Sequence, residues 1–396
     1  IMCGIVGYIG HRNAYDVIIK GLKRLEYRGY DSAGITLLNG SMNIYKKAGK
    51  VSDLENFAEG KDINGKVGMG HTRWATHGEP NDRNAHPHKS NNGKLSIIHN
   101  GIIENYATIK TELTKRGHVF HSDTDTEVLI HLIEEIQHKA NVSLEEAVRL
   151  SLHEVIGAYA IVIISEDQQD ELIVARKGSP MVIGIGDGEH FIASDATPII
   201  EYTKNVVYLN DSEMAIVKKD SLVIKNIENI VQNPVIHELE MQLEMIEKNG
   251  YEHFMMKEIY EQPKSIYDSM RGRIRANEGL ISLGGLKEYE TKFKNADRII
   301  IVACGTSWHA GLVAEYIIEE FARVPVEVEY ASEFRYRNPI ITENDILIAI
   351  SQSGETADTL AAIELAKSKG ATIFGICNVV GSSIPRASHA GAYTHA

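Results

Sequence analysis

The sequence predicts two domains of different class, an antiparallel α+β domain followed by an α/β domain built on a parallel sheet. In the first part, residues 170–195 alternate apolar and polar side chains and turn at Asp187-Gly188, which is typical of antiparallel strands joined in hairpins. In the second part, residues 298–321 and 345–370 each contain a wholly apolar strand, a turn of small residues and an amphipathic helix. Apolar strands separated by helices favour a parallel sheet covered on both faces.

The first domain is predicted to contain short strands mixed with two strong helical stretches, one of which is residues 124–140. Residues 124–140 place apolar side chains at positions 128, 129, 132, 133 and 136, the stripe of a helix that packs on one face. Strands without regular helical crossovers favour an antiparallel arrangement for the rest of this part. We expect the first domain to extend from residue 2 to residue 240.

The second domain is expected to begin near residue 292 and to continue to residue 396. Its strands are predicted near 298–303, 325–330, 346–350, 371–376 and 391–395. Between the two domains, residues 241–291 are expected to form a helical connector. The stretch 237–270 supports this expectation, because it is charged, helical in pattern and interrupted at Asn249-Gly250.

Composition and charge argue against several functions. The 396 residues carry 41 Lys and Arg against 54 Asp and Glu, a formal charge of −13, whereas nucleic-acid binding needs clustered cations. Apolar runs fall short of the roughly 18 residues of a membrane span, so we expect no membrane association. The cysteines Cys3, Cys304 and Cys377 are odd in number and widely spaced. This disfavours a disulfide framework or a cysteine zinc site, and favours a reducing cytoplasm.

Cys3 lies so close to the start of the chain that a structural role would be poorly placed, because chain ends fray. If Cys3 is the first residue of the chain, its own α-amino group can act as the base. An α-amino group has a reference pKa of about 7.7–8 and can take up the thiol proton. Ile1 and Met2 precede Cys3. As long as these two residues are present, the backbone nitrogen of Cys3 is an amide and cannot act as a base. We therefore expect Ile1 to be a sequencing or start artefact and Met2 to be removed. The alternative is that Cys3 is a small buried residue of the first strand.

Polar segments punctuated by glycine complete a candidate site for an amino acid amide around this cysteine. The Asn100 side-chain amide and the Gly101 backbone N–H are suited to bind the oxyanion of an acyl-transfer intermediate. Arg73 can bind an α-carboxylate with two hydrogen bonds, Asp125 can receive an α-ammonium, and Trp74 can exclude water as a lid. Taken alone, each charged residue is more typical of a surface and the tryptophan of a core. The combination favours a site.

The segments "CGIVG", "RLEYRGYDSAG", "HTRWATHGEPN", "HNGIIEN" and "TDTE" resemble the class II glutamine amidotransferases, which use an N-terminal cysteine as nucleophile. The resemblance implies the four-layer αββα fold of the N-terminal nucleophile hydrolases. It also implies hydrolysis of L-glutamine to glutamate and ammonia through a thioester at Cys3. The roles it implies are Cys3, Arg28, Asn100 and Gly101 as catalytic residues, Arg73, Thr76, His77 and Asp125 as glutamine contacts, and Trp74 as the ammonia gate.

A group of histidines in this region raises the question of a metal. Its members are His71, His77, His86, His88 and His99. Their spacing does not fit a helix-borne pair of ligands, and neither cysteines nor carboxylates cluster with them. We therefore expect no metal site, and we expect the reaction to require no organic cofactor.

Two turns of the second domain are predicted to bind an anion. "ISQSGETADT" (350–359) and "ACGTSWHAG" (303–311) each place hydroxyl and backbone N–H groups where a strand gives way to a helix N-terminus. Ligands of an open parallel sheet lie at the carboxyl ends of its strands, so we expect a phosphorylated metabolite there. Two ordinary helix N-caps are the alternative. The GxGxxG and GxxxxGK[ST] patterns of nucleotide-binding loops do not occur in these turns.

The same two turns resemble the phosphosugar isomerase (SIS) domain. The resemblance implies that the sugar phosphate is held by Thr306, Ser307, Ser351, Gln352, Ser353 and Thr356. Joined to a glutaminase, this domain implies transfer of ammonia to fructose 6-phosphate, giving glucosamine 6-phosphate, in a protein that forms a homodimer at full length.

The family pattern includes a second phosphosugar lobe, with a lysine, a glutamate and a histidine that serve the isomerisation, and those positions do not occur in this sequence. We therefore expect this chain to hydrolyse glutamine and to form little or no glucosamine 6-phosphate. Two alternatives remain. One is a class II amidotransferase with a different sugar acceptor, and the other is a phosphosugar-binding module without catalysis. The second is disfavoured because the sequence contains the residues that a glutaminase needs.

Overall fold

The computed structural model describes residues 3–26, 29–74, 78–239, 250–275 and 278–394. The chain divides into two compact units, Ile1–Leu239 and Glu240–Ala396. Among the described residues, the helices are all too short or too polar to cross a lipid bilayer.

The described part of the first unit is built from antiparallel strands with helices between them. Its strands are β1 (Gly4–Ile9), β2 (Ser32–Asn39), β3 (Ser41–Ala48), β4 (Val67–Arg73), β5 (His88–Lys89), β6 (Leu95–Ile103), β7 (Gly157–Ser165), β8 (Glu171–Lys177), β9 (Val182–Gly186), β10 (Glu189–Ala193), β11 (Asn205–Tyr208), β12 (Glu213–Lys218), β13 (Ser221–Asn226), β14 (Val231–Gln232) and β15 (His237–Glu238). Its helices are α1 (Ala14–Leu25), α2 (Val51–Ala58), α3 (Tyr106–Lys115), α4 (Asp125–Ala140) and α5 (Leu144–Glu154).

These strands form two sheets. One has the order β15-β11-β9-β10-β1-β4-β2-β3, and the other has the order β14-β13-β12-β8-β7-β6-β5. The predicted hairpin at Asp187-Gly188 joins β9 to β10, which pair from Gly186 and Glu189 onward. The antiparallel class expected for this part of the chain is confirmed.

The two sheets stack face to face, and helices cover their outer faces. Successive side chains of a strand point to opposite faces. On β6, Ile98 therefore joins a core with Ile5 of the other sheet, whereas Ile97 joins a core with Leu129 of α4. On the far side, Ile18 of α1 is fully buried against β4. The order helix, sheet, sheet, helix is the four-layer αββα arrangement, so this expectation is also confirmed.

Helix α4 begins where the sequence predicts. The side chain of Thr124 caps it by accepting a hydrogen bond from the backbone N–H of Glu127, at 3.4 Å. Asn141 ends it in the left-handed conformation, with φ of 50°. Because Val128, Leu129 and Ile133 are buried against the sheet, the first turn of α4 is held close to β6.

The described part of the second unit contains strands β16 (Ile274–Arg275), β17 (Leu280–Ile281), β18 (Arg298–Ala303), β19 (Val326–Tyr330), β20 (Asp345–Ser351), β21 (Thr372–Cys377) and β22 (Ala390–Tyr393). Its helices are α6 (Phe254–Met270), α7 (Glu290–Lys294), α8 (Thr306–Ala322), α9 (Ala331–Tyr336), α10 (Ala357–Ser368) and α11 (Ser383–Ala387), with a 3₁₀ turn at Gly284–Tyr289.

Five of these strands form a parallel sheet in the order β19-β18-β20-β21-β22, as the sequence predicts. Ile300 and Leu347 pack with Ile363 of α10 on one face. Ile301 packs with Ile318 of α8 on the other face. Burial on both faces explains why the inner positions of β18 and β20 are apolar.

The stretch 237–270 departs from the helical prediction at its start. His237 and Glu238 form strand β15, which pairs with β11 at the edge of the eight-stranded sheet, because this edge offers the backbone partners that the segment would otherwise lack. Residues 240–249, which include the predicted interruption at Asn249, lie outside the described residues. Helix α6 follows at 254–270, whereas β16 and β17 pair as a short ladder within the predicted helical connector.

Candidate active site

Cys3 lies immediately before β1, and the pairing of β1 with β4 fixes its surroundings. Gly4 is opposite Thr72 in this ladder, and its backbone N–H donates to Thr72 Oγ1 at 3.1 Å. Trp74 follows the last residue of β4, and its backbone N–H donates to Cys3 Sγ at 3.1 Å. The Trp74 backbone thus contacts the Cys3 sulfur through its N–H and, at 3.5 Å, through its carbonyl oxygen. Trp74 itself is 41% exposed.

The second sheet supplies Asn100 to the same place. The side-chain Nδ2 of Asn100, on β6, donates to the main-chain oxygen of Cys3 at 3.1 Å. Gly101 follows with φ of 130°, and a Cβ there would overlap the carbonyl oxygen of Ala158 on β7. Only glycine fits this position without displacing the backbone. The structure thus brings three residues predicted for catalysis, Cys3, Asn100 and Gly101, into one neighbourhood.

The charged residues predicted to bind glutamine are both buried. Arg73, the last residue of β4, donates through Nη2 to the carbonyl oxygen of Gly78 at 3.0 Å, and its Nη1 lies 3.8 Å from Asp31 Oδ1. Asp125, in the first turn of α4, accepts a hydrogen bond from the backbone N–H of Ile103 at 2.7 Å. Since Ile103 ends β6, Asp125 lies near the end of the strand that carries the oxyanion residues.

Three other predicted residues of this site, Arg28, Thr76 and His77, lie outside the described residues. Their roles stay predictions.

The described histidines of this region form a buried hydrogen-bonded cluster with the site. His71, on β4, contacts Asn100 Oδ1 through Nε2 at 2.9 Å and His86 Nδ1 through its own Nδ1 at 3.1 Å. Burial lowers the pKa of His71 to about 3, and it holds the pKa of His86 and of His88 well below the usual range. These rings are therefore neutral at cellular pH. Within the described ranges, no group of three or more His, Cys, Asp or Glu side chains is arranged to hold a metal ion.

Sequence reasoning missed this histidine network, since it weighed the histidines only as metal ligands. The one available signal was that His71 and His99 each directly follow a run of apolar or small residues. That signal indicates burial. It does not indicate which ring nitrogen forms a hydrogen bond with which partner.

In the second unit, the turn after β20 is closed by its own hydroxyl groups. Ser351 Oγ accepts from the backbone N–H of Gly354 at 3.1 Å and lies 3.0 Å from Thr356 Oγ1. Ser353 Oγ accepts from the backbone N–H of Glu355 at 3.2 Å. Thr356 precedes α10, but its side chain does not cap that helix. The Thr356 hydroxyl therefore contacts Ser351 within the turn and does not cap the helix as an ordinary N-cap would.

The two predicted anion-binding turns lie side by side. Ala303 pairs with Ile350 in the parallel ladder between β18 and β20, so the segments that follow both strands leave the same edge of the sheet. Thr306 and Ser307 begin α8 on one side, and the turn at 351–356, which includes Gln352, lies on the other. Glu355 was not predicted from the sequence. It is buried, and its Oε1 accepts from the backbone N–H of Ser383 at 2.8 Å.

Two family profiles match the chain, the glutamine amidotransferase domain over residues 55–236 and the SIS domain over residues 292–396. The chain is 60% identical, over its full length, to glutamine–fructose-6-phosphate aminotransferase (isomerizing) of Chlorobaculum tepidum, and covers 65% of that protein. The chain is also 60% identical, over its full length, to the protein of the same name from Bacteroides thetaiotaomicron, and it covers 65% of that protein.

A solved structure with a similar fold is the glutamine phosphoribosylpyrophosphate amidotransferase from B. subtilis. The TM-score is 0.51 at 20% sequence identity, over 95% of this chain and 81% of that chain. At this identity the likeness concerns the fold alone.

The chain thus spans 65% of the length of the curated relatives it matches. The two profiles occur in the order expected from the sequence, and the identity to these relatives extends over both units. Over its full length the chain is therefore similar to the glutamine–fructose-6-phosphate aminotransferases, with a match to the glutamine amidotransferase domain followed by a match to the SIS domain.

Proposed function

We propose that the first unit hydrolyses L-glutamine to glutamate and ammonia through a thioester on Cys3. The observation that carries the proposal is the hydrogen bond of 3.1 Å from Asn100 Nδ2 to the main-chain oxygen of Cys3. It joins a candidate nucleophile and a candidate oxyanion donor that lie 97 positions apart in the sequence. Acyl transfer needs this pair of groups in contact with one substrate carbonyl.

The chemistry requires that Cys3 be the first residue of the active chain. Its α-amino group, with a reference pKa of about 7.7–8, then takes the thiol proton. The thiolate attacks the side-chain amide carbon of glutamine, and a tetrahedral intermediate forms. The carbon–nitrogen bond breaks as the proton passes from the α-ammonium to the leaving nitrogen, which departs as ammonia. Water then attacks the thioester, releases glutamate and restores the thiol.

The oxyanion of the intermediate is assigned to Asn100 and Gly101. The Asn100 amide has two N–H groups, and the bond to the Cys3 oxygen uses one of them. The second N–H and the backbone N–H of Gly101 are proposed to donate to the oxyanion. Removing one such donor typically costs about 10²–10³ in kcat.

The α-carboxylate and the α-ammonium of glutamine are assigned to two buried charged residues. Arg73 is proposed to bind the α-carboxylate, and its burial strengthens such a pair because water screens it less. One oxygen of Asp125, Oδ2, accepts from Ile103, and the other is proposed to receive the α-ammonium. Thr76 and His77 are proposed as further glutamine contacts and Arg28 as a catalytic support, on the resemblance alone. Trp74 is proposed to gate the ammonia, and its exposure together with the contact of its backbone with Cys3 supports this.

For the whole protein we propose the activity named for the relatives, transfer of the glutamine nitrogen to fructose 6-phosphate with isomerisation to glucosamine 6-phosphate. The sugar phosphate is assigned to the turns at 306–307 and 351–356, and their adjacency at the carboxyl edge of the parallel sheet supports this.

We assign the glutaminase to residues 2–240, the connector to 241–291 and the phosphosugar lobe to 292–396. A homodimer is proposed on the resemblance alone. A cytoplasmic location is supported by the small number and wide spacing of the cysteines Cys3, Cys304 and Cys377.

The test is glutamate release by a chain that begins at Cys3, measured with and without fructose 6-phosphate, beside a Cys3→Ala chain prepared in the same way. We expect glutamate from the first chain and none above the uncatalysed rate from the second. Release that survives the substitution would contradict the proposal.

A further inference from the structure

A chain of buried polar side chains leads through the first unit to Asn100. Its members are His71, His86, His99 and Thr126, none of which is more than 6% exposed. Four contacts of 2.8–3.1 Å connect them: His99 Nδ1 to Thr126 Oγ1, Thr126 Oγ1 to His86 Nε2, His86 Nδ1 to His71 Nδ1, and His71 Nε2 to Asn100 Oδ1. In a neutral histidine one ring nitrogen donates and the other accepts, so the hydrogens of such a chain have a direction.

The direction is fixed at His71. Its Nε2 faces two oxygens, the main-chain oxygen of His99 at 3.0 Å and Asn100 Oδ1 at 2.9 Å. A carbonyl oxygen can only accept, so Nε2 carries the hydrogen. Because burial lowers the pKa of His71 to about 3, the ring is neutral and its Nδ1 is an acceptor.

The remaining links follow from this one. His86 Nδ1 must donate to His71 Nδ1, and since burial also lowers the pKa of His86, its Nε2 is an acceptor. The single hydrogen of the Thr126 hydroxyl therefore goes to His86 Nε2, at 2.8 Å. His99 Nδ1 lies 3.0 Å from the same hydroxyl, and its Nε2 lies 3.5 Å from the carbonyl oxygen of Ala158. From Thr126 through His86 and His71, each hydrogen points towards Asn100.

The contact between Asn100 and Cys3 independently gives the same orientation of the Asn100 amide. Asn100 Nδ2 lies 3.1 Å from the main-chain oxygen of Cys3, which can only accept. Turning the amide over would place Oδ1 against that oxygen and the amide hydrogens against the N–H of His71. Both contacts would be repulsive, so backbone oxygens at His99 and Cys3 together fix one orientation of the amide.

We propose that His71, supported by His86, is a positioning residue that holds the Asn100 carboxamide with its N–H groups directed towards Cys3. This inference rests on the proposed glutaminase function. An oxyanion donor is effective because it is already oriented when charge develops, and the histidine chain supplies that orientation. The side chains that matter are therefore His71 and His86, and neither of them has to touch the substrate.

His88 offers a matched control in the same cluster. It is 3% exposed, and its ring contacts that of His86 edge to face at a centroid distance of 4.8 Å. Its hydrogen bonds go to Thr124 Oγ1 and to the backbone of Asn84 rather than towards Asn100. Replacing it perturbs the same core without interrupting the chain.

The kinetic test compares His71→Leu, His71→Gln and His88→Leu in a chain that begins at Cys3. We expect His71→Leu to lower kcat for glutamate release by about 10–100-fold while KM stays within about threefold, since an oxyanion donor acts on the transition state. In His71→Gln the side-chain N–H₂ takes the place of Nε2–H, and we expect most of kcat to return. His88→Leu should lower the melting temperature with kcat within about threefold of the wild-type value. Equal losses of kcat in His71→Leu and His88→Leu would overturn the inference.

A double-mutant cycle with Asn100→Ala isolates the coupling. If His71 acts through the Asn100 amide, then His71→Leu should cost less than about threefold in kcat when the amide is already absent. The same loss of about 10–100-fold in both backgrounds would show a merely structural role.

The ring tautomers give a readout that does not depend on activity. Nitrogen-15 NMR of histidine-labelled wild-type chain at pH 7, assigned with His71→Gln and His86→Gln, should find His71 protonated at Nε2 and His86 at Nδ1. The reverse tautomer at either ring, in an active chain, would overturn this inference alone. An inactive chain with the expected tautomers would overturn the proposed function, and with it the catalytic use of this geometry.

Discussion

Replacing Gly101 by alanine tests the proposed oxyanion hole directly. The residue has φ of 130°, and an added Cβ would lie far inside normal contact distance of the Ala158 carbonyl oxygen. Relieving that overlap requires the backbone of β6 to move by about 1 Å, and a misplacement of that size costs on the order of 10²-fold in rate. The Gly101 N–H would then leave the range of 2.7–3.1 Å in which it can stabilise an oxyanion. We expect Gly101→Ala to lower kcat for glutamate release by about 10²–10³-fold, with a smaller change in KM.

Gly157 provides the matched control for backbone strain. It lies on β7 in the same ladder, with φ of 132°, and a Cβ there would overlap the carbonyl oxygen of Ile102 in the same way. Both substitutions should lower the free energy of unfolding by about 1–3 kcal/mol, measured by urea denaturation. Only Gly101→Ala should add the large loss of kcat. If the two variants lose stability equally and kcat also falls equally, the assignment of the Gly101 N–H to the oxyanion is refuted.

Other predictions concern pH, the sugar site and the gate. The unfolded chain binds a proton at His71 near pH 6.5, whereas burial lowers the pKa of the folded residue to about 3, so stability is full above pH 6.5 and falls as the pH drops. From His71 alone the loss at pH 5 is about 2 kcal/mol, and a urea midpoint that stays constant from pH 8 to pH 5 would contradict this. Ser351→Ala should weaken fructose 6-phosphate binding about tenfold in calorimetry, since it removes one hydroxyl of the turn, with Ser368→Ala, on the exposed end of α10, as a neutral control. Trp74→Ala should leave glutamate release within about threefold but lower the fraction of ammonia delivered to an acceptor in the full-length protein, and an unchanged fraction would contradict the gate.

Much of the architecture could be predicted because burial leaves a periodic signal in the sequence. The apolar strand at 298–303 is buried on both faces of a parallel sheet, and residues 124–140 show the stripe of a helix packed on one face. The start of the connector could not be predicted in the same way. Whether His237 and Glu238 form a strand or a helix depends on the free edge of β11, which is distant in sequence.

The candidate site was predictable as a set of residue types, but its hydrogen bonds were not. Cys3, Asn100 and Gly101 could be selected because acyl transfer needs a nucleophile and oxyanion donors. The contact of His71 with Asn100 joins strands of different sheets, so sequence spacing carries no information about it. The tautomers of the histidine chain depend on which backbone oxygens lie opposite each ring, and only the folded structure supplies that geometry.

The central claim is that the sulfur of Cys3 is activated by the nitrogen of the same residue. The measurement that tests it most directly is glutamate release by a chain that begins at Cys3, compared with an otherwise identical chain in which one uncleaved alanine precedes Cys3. Intact mass confirms both termini. The account predicts that the added residue lowers kcat by about 10²–10⁴-fold, the usual contribution of a general base. Equal rates from the two chains would contradict it.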